Sequence, residues 1–172
     1  MIQQIKSIPT TYKGINFRSR LEATWASFFD EIKWQWIYEP FEFSGWIPDF
    51  LIYGEKTDVL IEVKPITRFE DFNDKIVWDT EKYFTVLVGL QPFIRNRKFV
   101  FGWNLIAQKE ADEIYFKNCY KDGYAISSEY MSWDNLIVEK NEYRKQFMYD
   151  NQDSQHLIDV FNICKNQFQW HK

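Results

Sequence analysis

The chain has 172 residues, of which 45% are hydrophobic and 20% aromatic, with a net charge of −4 and two cysteines. That suits one domain with a packed core and excludes the disordered class. No run approaches the ~18 consecutive apolar residues of a membrane helix, and the acidic balance argues against a broad electrostatic coating of nucleic acid. The first residues, Met-Ile-Gln-Gln-Ile-Lys-Ser, lack the apolar run of a signal peptide. Cys119 and Cys164 lie far apart and outside any metal-type pair, which reads as reduced thiols in a cytoplasmic protein.

In chain order, residues 1–17 read as extended and irregular, broken by Pro9 and Gly14. Ser19-Arg20-Leu21-Glu22 has the form of a capping box, and Leu21, Trp25, Phe28, Phe29 and Ile32 recur at helical spacing, predicting a helix over 19–33. Residues 34–38 alternate and are aromatic, as a strand ending before Pro40 would be. Two strand-length apolar runs follow, Ile47-Pro48-Asp49-Phe50-Leu51-Ile52-Tyr53 and Asp58-Val59-Leu60-Ile61-Glu62-Val63-Lys64-Pro65, around a turn at Gly54-Glu55-Lys56-Thr57. Residues 68–83 carry helix-compatible spacing, and 85–90 suit a buried strand. The order is helix, three strands, helix, strand. Short early links favour antiparallel neighbours, and the strand-helix-strand unit favours one parallel pair. Beyond Pro92, residues 98–107 read as a strand, 113–117 and 124–127 as a hairpin turning at Lys121-Asp122-Gly123, and 153–168 as a helix. The expected organisation is a core at 1–107 and a C-terminal α+β extension at 108–172, packed separately or within the same domain.

Asp49, Glu62 and Lys64 interrupt apolar strands, where charges are costly unless paired or bound to a metal. Alternation places Glu62 and Lys64 on one face and Ile61 and Val63 on the other.

Pro48-Asp49, twelve intervening residues and Glu62-Val63-Lys64, preceded by Glu22 on a helix, resemble the PD-(D/E)XK nuclease superfamily. The stretch from Phe17 through Ser19-Arg20-Leu21-Glu22 to Asp30 also resembles small phage and mobile-element members and the transposon-end endonucleases. The resemblance spans roughly residues 12–92. It implies an α/β fold with a restriction-endonuclease-like core, a mixed β-sheet flanked by helices in the order α-β-β-β-α-β.

The implied activity is hydrolysis of phosphodiester bonds, in DNA ahead of RNA, dependent on Mg²⁺ with Mn²⁺ able to substitute. Hard Mg²⁺ prefers oxygen ligands and polarises a phosphoryl oxygen. Asp49 and Glu62 on neighbouring strands can converge on one ion. The resemblance adds Glu22 and the Val63 carbonyl as ligands, and Lys64 as the group that orients the attacking water. Lys13, Arg18, Arg20 and Arg68 are candidate phosphate contacts, with Arg95, Arg97 and Lys98 further on. A homodimer or a DNA-targeting protein partner is compatible, and no membrane is involved.

Plainer roles stand beside these. Glu22 can simply close the capping box, Glu62 and Lys64 can form a surface ion pair, and Asp49 can be a strand-start residue. Trp34, Trp36, Trp46, Trp103 and Trp133 can stack on bases or fill the core. His156 and His171 are too sparse for a zinc cluster, and no nucleophile elbow or Gly-rich phosphate loop is present. Two rivals to an autonomous nuclease remain. One is a catalytically silent protein of the same fold that binds or inhibits a partner, and the other is a subunit that cuts only beside a DNA-targeting protein.

Overall fold

A computed structural model describes residues 7–42, 45–54, 58–72, 84–95, 98–107, 110–119, 123–128 and 151–169. Among these the protein is mixed α/β, with ten strands and two α-helices.

Two short strands, β1 (Thr10–Tyr12) and β2 (Ile15–Phe17), form an antiparallel hairpin rather than the irregular lead-in expected from the sequence. Its two-residue loop, Lys13-Gly14, holds both residues at positive φ, 46° and 80°, the backbone hand that matches strand twist. Helix α1 (Arg20–Glu31) follows, with Ser19 as N-cap accepting from the backbone N–H of Glu22. Its C-terminus closes as a Schellman motif. Lys33 sits at φ 63°, the Trp34 N–H reaches the Phe29 carbonyl and the Lys33 N–H that of Asp30. The accompanying apolar contact is the Phe29–Trp34 stack, with centroids 6.0 Å apart.

The main sheet runs β10-β9-β8-β6-β5-β4-β3, with β7 also paired to β8. Its strands are β3 (Trp36–Tyr38), β4 (Phe50–Ile52), β5 (Val59–Val63), β6 (Phe84–Val88), β7 (Phe93–Arg95), β8 (Lys98–Ala107), β9 (Glu110–Cys119) and β10 (Gly123–Ser128). β3-β4-β5 are antiparallel neighbours, while β5 and β6 pair in parallel in the register Glu62↔Leu87. Between them the described chain makes a 3₁₀ turn at Phe69–Asp71; the rest of the helix expected over 68–83 lies outside the described residues. The turns at 55–57 and 121–122 also lie outside them.

Helix α2 (Asn151–Gln167) buries Leu157, Phe161 and Cys164, spaced for one helical face, in the same cluster that holds Trp25, Phe28 and Phe29 of α1. Val59, Ile61, Val63, Val86 and Val88 supply the sheet side of that cluster. Leu87 and Trp103 belong to a second one with Phe69, Phe72 and Phe93. The alternation along β6 thus assigns its side chains to two cores. Helix α1 lies at the centre, with Glu22 through Phe29 all buried. The Trp25 indole N–H donates to the Gly89 carbonyl at 2.9 Å, fixing the helix to the end of β6.

No described helix is long and apolar enough to cross a membrane.

Candidate active site

Helix α1 begins, β4 starts and β5 ends around one cleft of about 500 Å³, lined by Arg18, Glu22, Trp46, Asp49, Glu62 and Lys64 together with Gly45, Ile47 and Val63. The four side chains singled out by the sequence motifs therefore share a single site, and the remaining proposed ligand residue, Val63, lies on its wall.

Each carboxylate is held in a specific way. Glu22, in the first turn of α1, accepts from the Ser19 hydroxyl at 2.7 Å through Oε1. Through Oε2 it accepts from the Arg18 backbone N–H at 3.1 Å and the Tyr38 hydroxyl at 2.5 Å. It thus reaches one residue further back than a simple capping box requires, and it lines the cleft as well as capping the helix. Asp49 precedes β4. Continuing the Phe50↔Ile61 register would place Pro48, which has no N–H, opposite Val63. Asp49 Oδ2 accepts from the Val63 N–H at 2.7 Å, and Oδ1 accepts from the Arg18 guanidinium. Glu62 accepts from the Lys64 ammonium at 3.0 Å and from the Trp46 indole at 3.0 Å.

The Glu62 side chain is only 6% exposed and that of Lys64 28%. The plain reading of these two as a pair on a solvent-facing strand therefore does not hold. Burial raises the Asp49 carboxyl to about 7, helped by the charges of Glu62 and Glu22 and opposed by the Val63 N–H and Arg18. Burial also raises Glu62, against the lowering effects of Lys64 and Trp46. Tyr38 is raised by burial and by its bond to Glu22, so it stays a phenol and a donor.

Two cations, Arg18 and Lys64, stand against the three carboxylates. The side chain of Arg18 is 58% exposed; its Nε lies 3.0 Å from Glu39 Oε1 and 3.9 Å from Glu22 Oε2. Among the described residues no group of three or more acidic, His or Cys side chains is placed to hold a metal ion as they stand. The chemistry of the donors nonetheless fits a hard divalent cation. They are carboxylate oxygens in a buried site where Asp49 and Glu62 remain raised despite two adjacent cations.

The other basic candidates are spread out. Lys13 pairs with Asp30 at 2.8 Å, Arg20 donates to the Phe168 carbonyl at 3.3 Å, and Arg68 pairs with Asp71 at 2.9 Å. Of the four candidate phosphate contacts, only Arg18 lines the cleft. The side chains of Arg95 and Lys98 are not among those described, and Arg97 and Trp133 lie outside the described residues. Trp34 and Trp103 are buried core residues, Trp36 donates to Asp30 at 2.9 Å, and Trp46 lines the cleft. Sequence reasoning missed Tyr38 and Glu39. Their role depends on the Tyr38 hydroxyl reaching Glu22 and the Glu39 carboxylate reaching Arg18, contacts that no local motif announces.

No family model, curated protein or solved structure matches this chain.

Proposed function

We propose that the protein is a Mg²⁺-dependent nuclease acting on DNA, built on a restriction-endonuclease-like core. The observation that carries this reading is the convergence of Glu22, Asp49, Glu62 and Lys64 on one cleft from positions spread over 43 residues of sequence. The antiparallel β3-β4-β5 unit, the parallel β5–β6 pair and α1 in front of them support the core assignment.

Asp49 and Glu62 would hold the ion, with Glu22 beside them and Mn²⁺ able to replace Mg²⁺; the ion supplies polarisation of the phosphoryl oxygen. Lys64 is held by Glu62, so its ammonium is positioned to donate to an attacking water and to the charge that gathers on the phosphate. Tyr38 and Ser19 keep Glu22 turned into the cleft. Trp46 orients Glu62 and offers an aromatic face at the cleft wall.

The test is incubation of the purified protein with plasmid, linear DNA and RNA in Mg²⁺ or Mn²⁺. Wild type should cut DNA, and Lys64→Ala should lose about 10²–10⁴-fold in rate. Equal activity in the two proteins, or no cleavage of any substrate, would overturn the reading.

A second reading has an observation of its own. Each carboxylate already has protein donors, and Arg18 already neutralises Asp49. A binding or inhibitory protein that keeps this architecture without a metal would show such a set. Calorimetry separates the two readings, since only the nuclease needs to bind Mn²⁺ through Asp49 and Glu62. A subunit that cuts beside a DNA-targeting partner would bind the ion yet cut only in that company.

A further inference from the structure

The acidic groups of the cleft and the cation that faces them are held very differently. Asp49 and Glu22 are fixed, with side chains 4% and 10% exposed. Asp49 is tied to the Val63 N–H, and Glu22 to the Ser19 hydroxyl, the Tyr38 hydroxyl and the Arg18 backbone N–H. None of these bonds involves the Arg18 guanidinium. That group reaches Asp49 through Nη2 at the end of a long side chain that is 58% exposed. The Arg18 backbone is anchored independently, its N–H on Glu22 and Tyr38 and its carbonyl accepting from the Ser7 hydroxyl. Removing the guanidinium would therefore leave the carboxylates and the backbone in place.

We propose that the Arg18 guanidinium is an exchangeable counter-cation that occupies the charge position of the divalent ion at Asp49 and must leave before the ion binds. The inference rests on the nuclease reading and names the regulation of that same site. Glu39 supplies the resting place. It holds Arg18 Nε at 3.0 Å, its backbone N–H is bonded to the Asp49 carbonyl at 2.9 Å, and it is not part of the cleft wall. Rotation of the guanidinium toward Glu39 frees Asp49 Oδ1 without unmaking any backbone contact.

Such a competition lowers the apparent affinity for the ion by the fraction of molecules in which Arg18 has already moved away. With that open form at about 10% or less, a neutral residue at 18 should tighten binding about 10-fold or more.

The experiment is titration calorimetry of the full chain with Mn²⁺ in the absence of nucleic acid, on wild type, Arg18→Gln and Glu39→Gln. Thermal unfolding in EDTA and in Mn²⁺ runs in parallel. Arg18→Gln should bind Mn²⁺ about 10-fold or more tightly, melt lower in EDTA than wild type and gain more from Mn²⁺. Glu39→Gln removes a resting contact but leaves Arg18 intact, and so keeps the idea testable if Arg18→Gln does not fold without metal. It should change Mn²⁺ affinity in a salt-dependent way. Mn²⁺ binding by wild type with affinity unchanged or weaker in Arg18→Gln, or unchanged in Glu39→Gln when Arg18→Gln does not fold, overturns the exchange alone. Absence of Mn²⁺ binding in all three proteins overturns the exchange and the nuclease reading together.

Discussion

The carboxylate of Asp49 accepts the backbone N–H of Val63 at 2.7 Å, joining the start of β4 to the end of β5 where the regular ladder stops. One side chain thus closes the sheet at that point and presents its other oxygen to the cleft. The arrangement explains how a carboxylate can be buried at 3% exposure beside Glu62 without disordering the strand ends. It also gives the site a measurable energetic signature.

Because the Asp49 carboxyl is raised from 3.8 to about 7, the folded protein holds a proton between those values that the unfolded chain has lost. Its contribution to stability is complete below about pH 4, declines as pH rises and is gone above about pH 7. In EDTA, Asp49→Asn should therefore melt higher than wild type at pH 8, with the gap closing toward pH 4. A rise of at least several degrees is expected, since each 1 kcal/mol shifts Tm by about 2–4 °C at this chain length. Circular dichroism melts across the range check it, and a lower Tm at pH 8 for the variant contradicts the account.

Tyr38→Phe removes the hydroxyl that donates to Glu22 and accepts from the Arg18 N–H. A partly buried N–H and a carboxylate oxygen each lose a partner, which should cost about 1–3 kcal/mol in a urea titration. Mn²⁺ affinity should fall about 10–100-fold, the usual effect of losing a residue that orients a ligand. Unchanged affinity would place Glu22 outside the ion's coordination.

Trp25 and Phe161 meet with ring centroids 4.6 Å apart at the contact between α1 and α2. Each is essentially fully buried, so Trp25→Ala or Phe161→Ala should cost about 3–5 kcal/mol. The double variant should lose less than the sum, since residues in direct contact couple. Strict additivity by chemical denaturation would mean that the C-terminal helix does not pack there.

Gly102 allows β8 to approach β6. A Cβ at this position would fall inside 3.0 Å of the Leu87 carbonyl oxygen, backbone that cannot give way cheaply. Gly102→Ala should cost about 1–3 kcal/mol by overpacking. A Tm equal to wild type would show that the strands separate at no cost.

Much of the fold was legible because its signals are local. The capping box at Ser19 and the spacing of Trp25, Phe28 and Phe29 mark α1 within about a residue of its observed start. Apolar runs mark β4, β5 and β6, while Leu157, Phe161 and Cys164 mark α2. The β1–β2 hairpin escaped notice because its strands have three residues each and its turn, Lys13-Gly14, places a lysine where Asn or Asp is the usual signal. The surroundings of the other basic residues were not legible for a related reason. Lys13, Arg20 and Arg68 read as available cations in sequence, yet Lys13 and Arg20 are engaged by Asp30 and the Phe168 carbonyl, which other segments bring to them, and Arg68 by its near neighbour Asp71.

The sequence by itself determined which side chains to look for as a site, since Asp49, Glu62 and Lys64 interrupt apolar strands and only a specific partner justifies that burial. Tertiary structure decided the rest. It brought Glu22 to Asp49, placed Tyr38 and Glu39 around them, and set Arg18 against the buried acids. Those contacts join residues 16 to 31 positions apart across a helix start and two strands. Their energies depend on burial and on through-space charge, which no local pattern encodes.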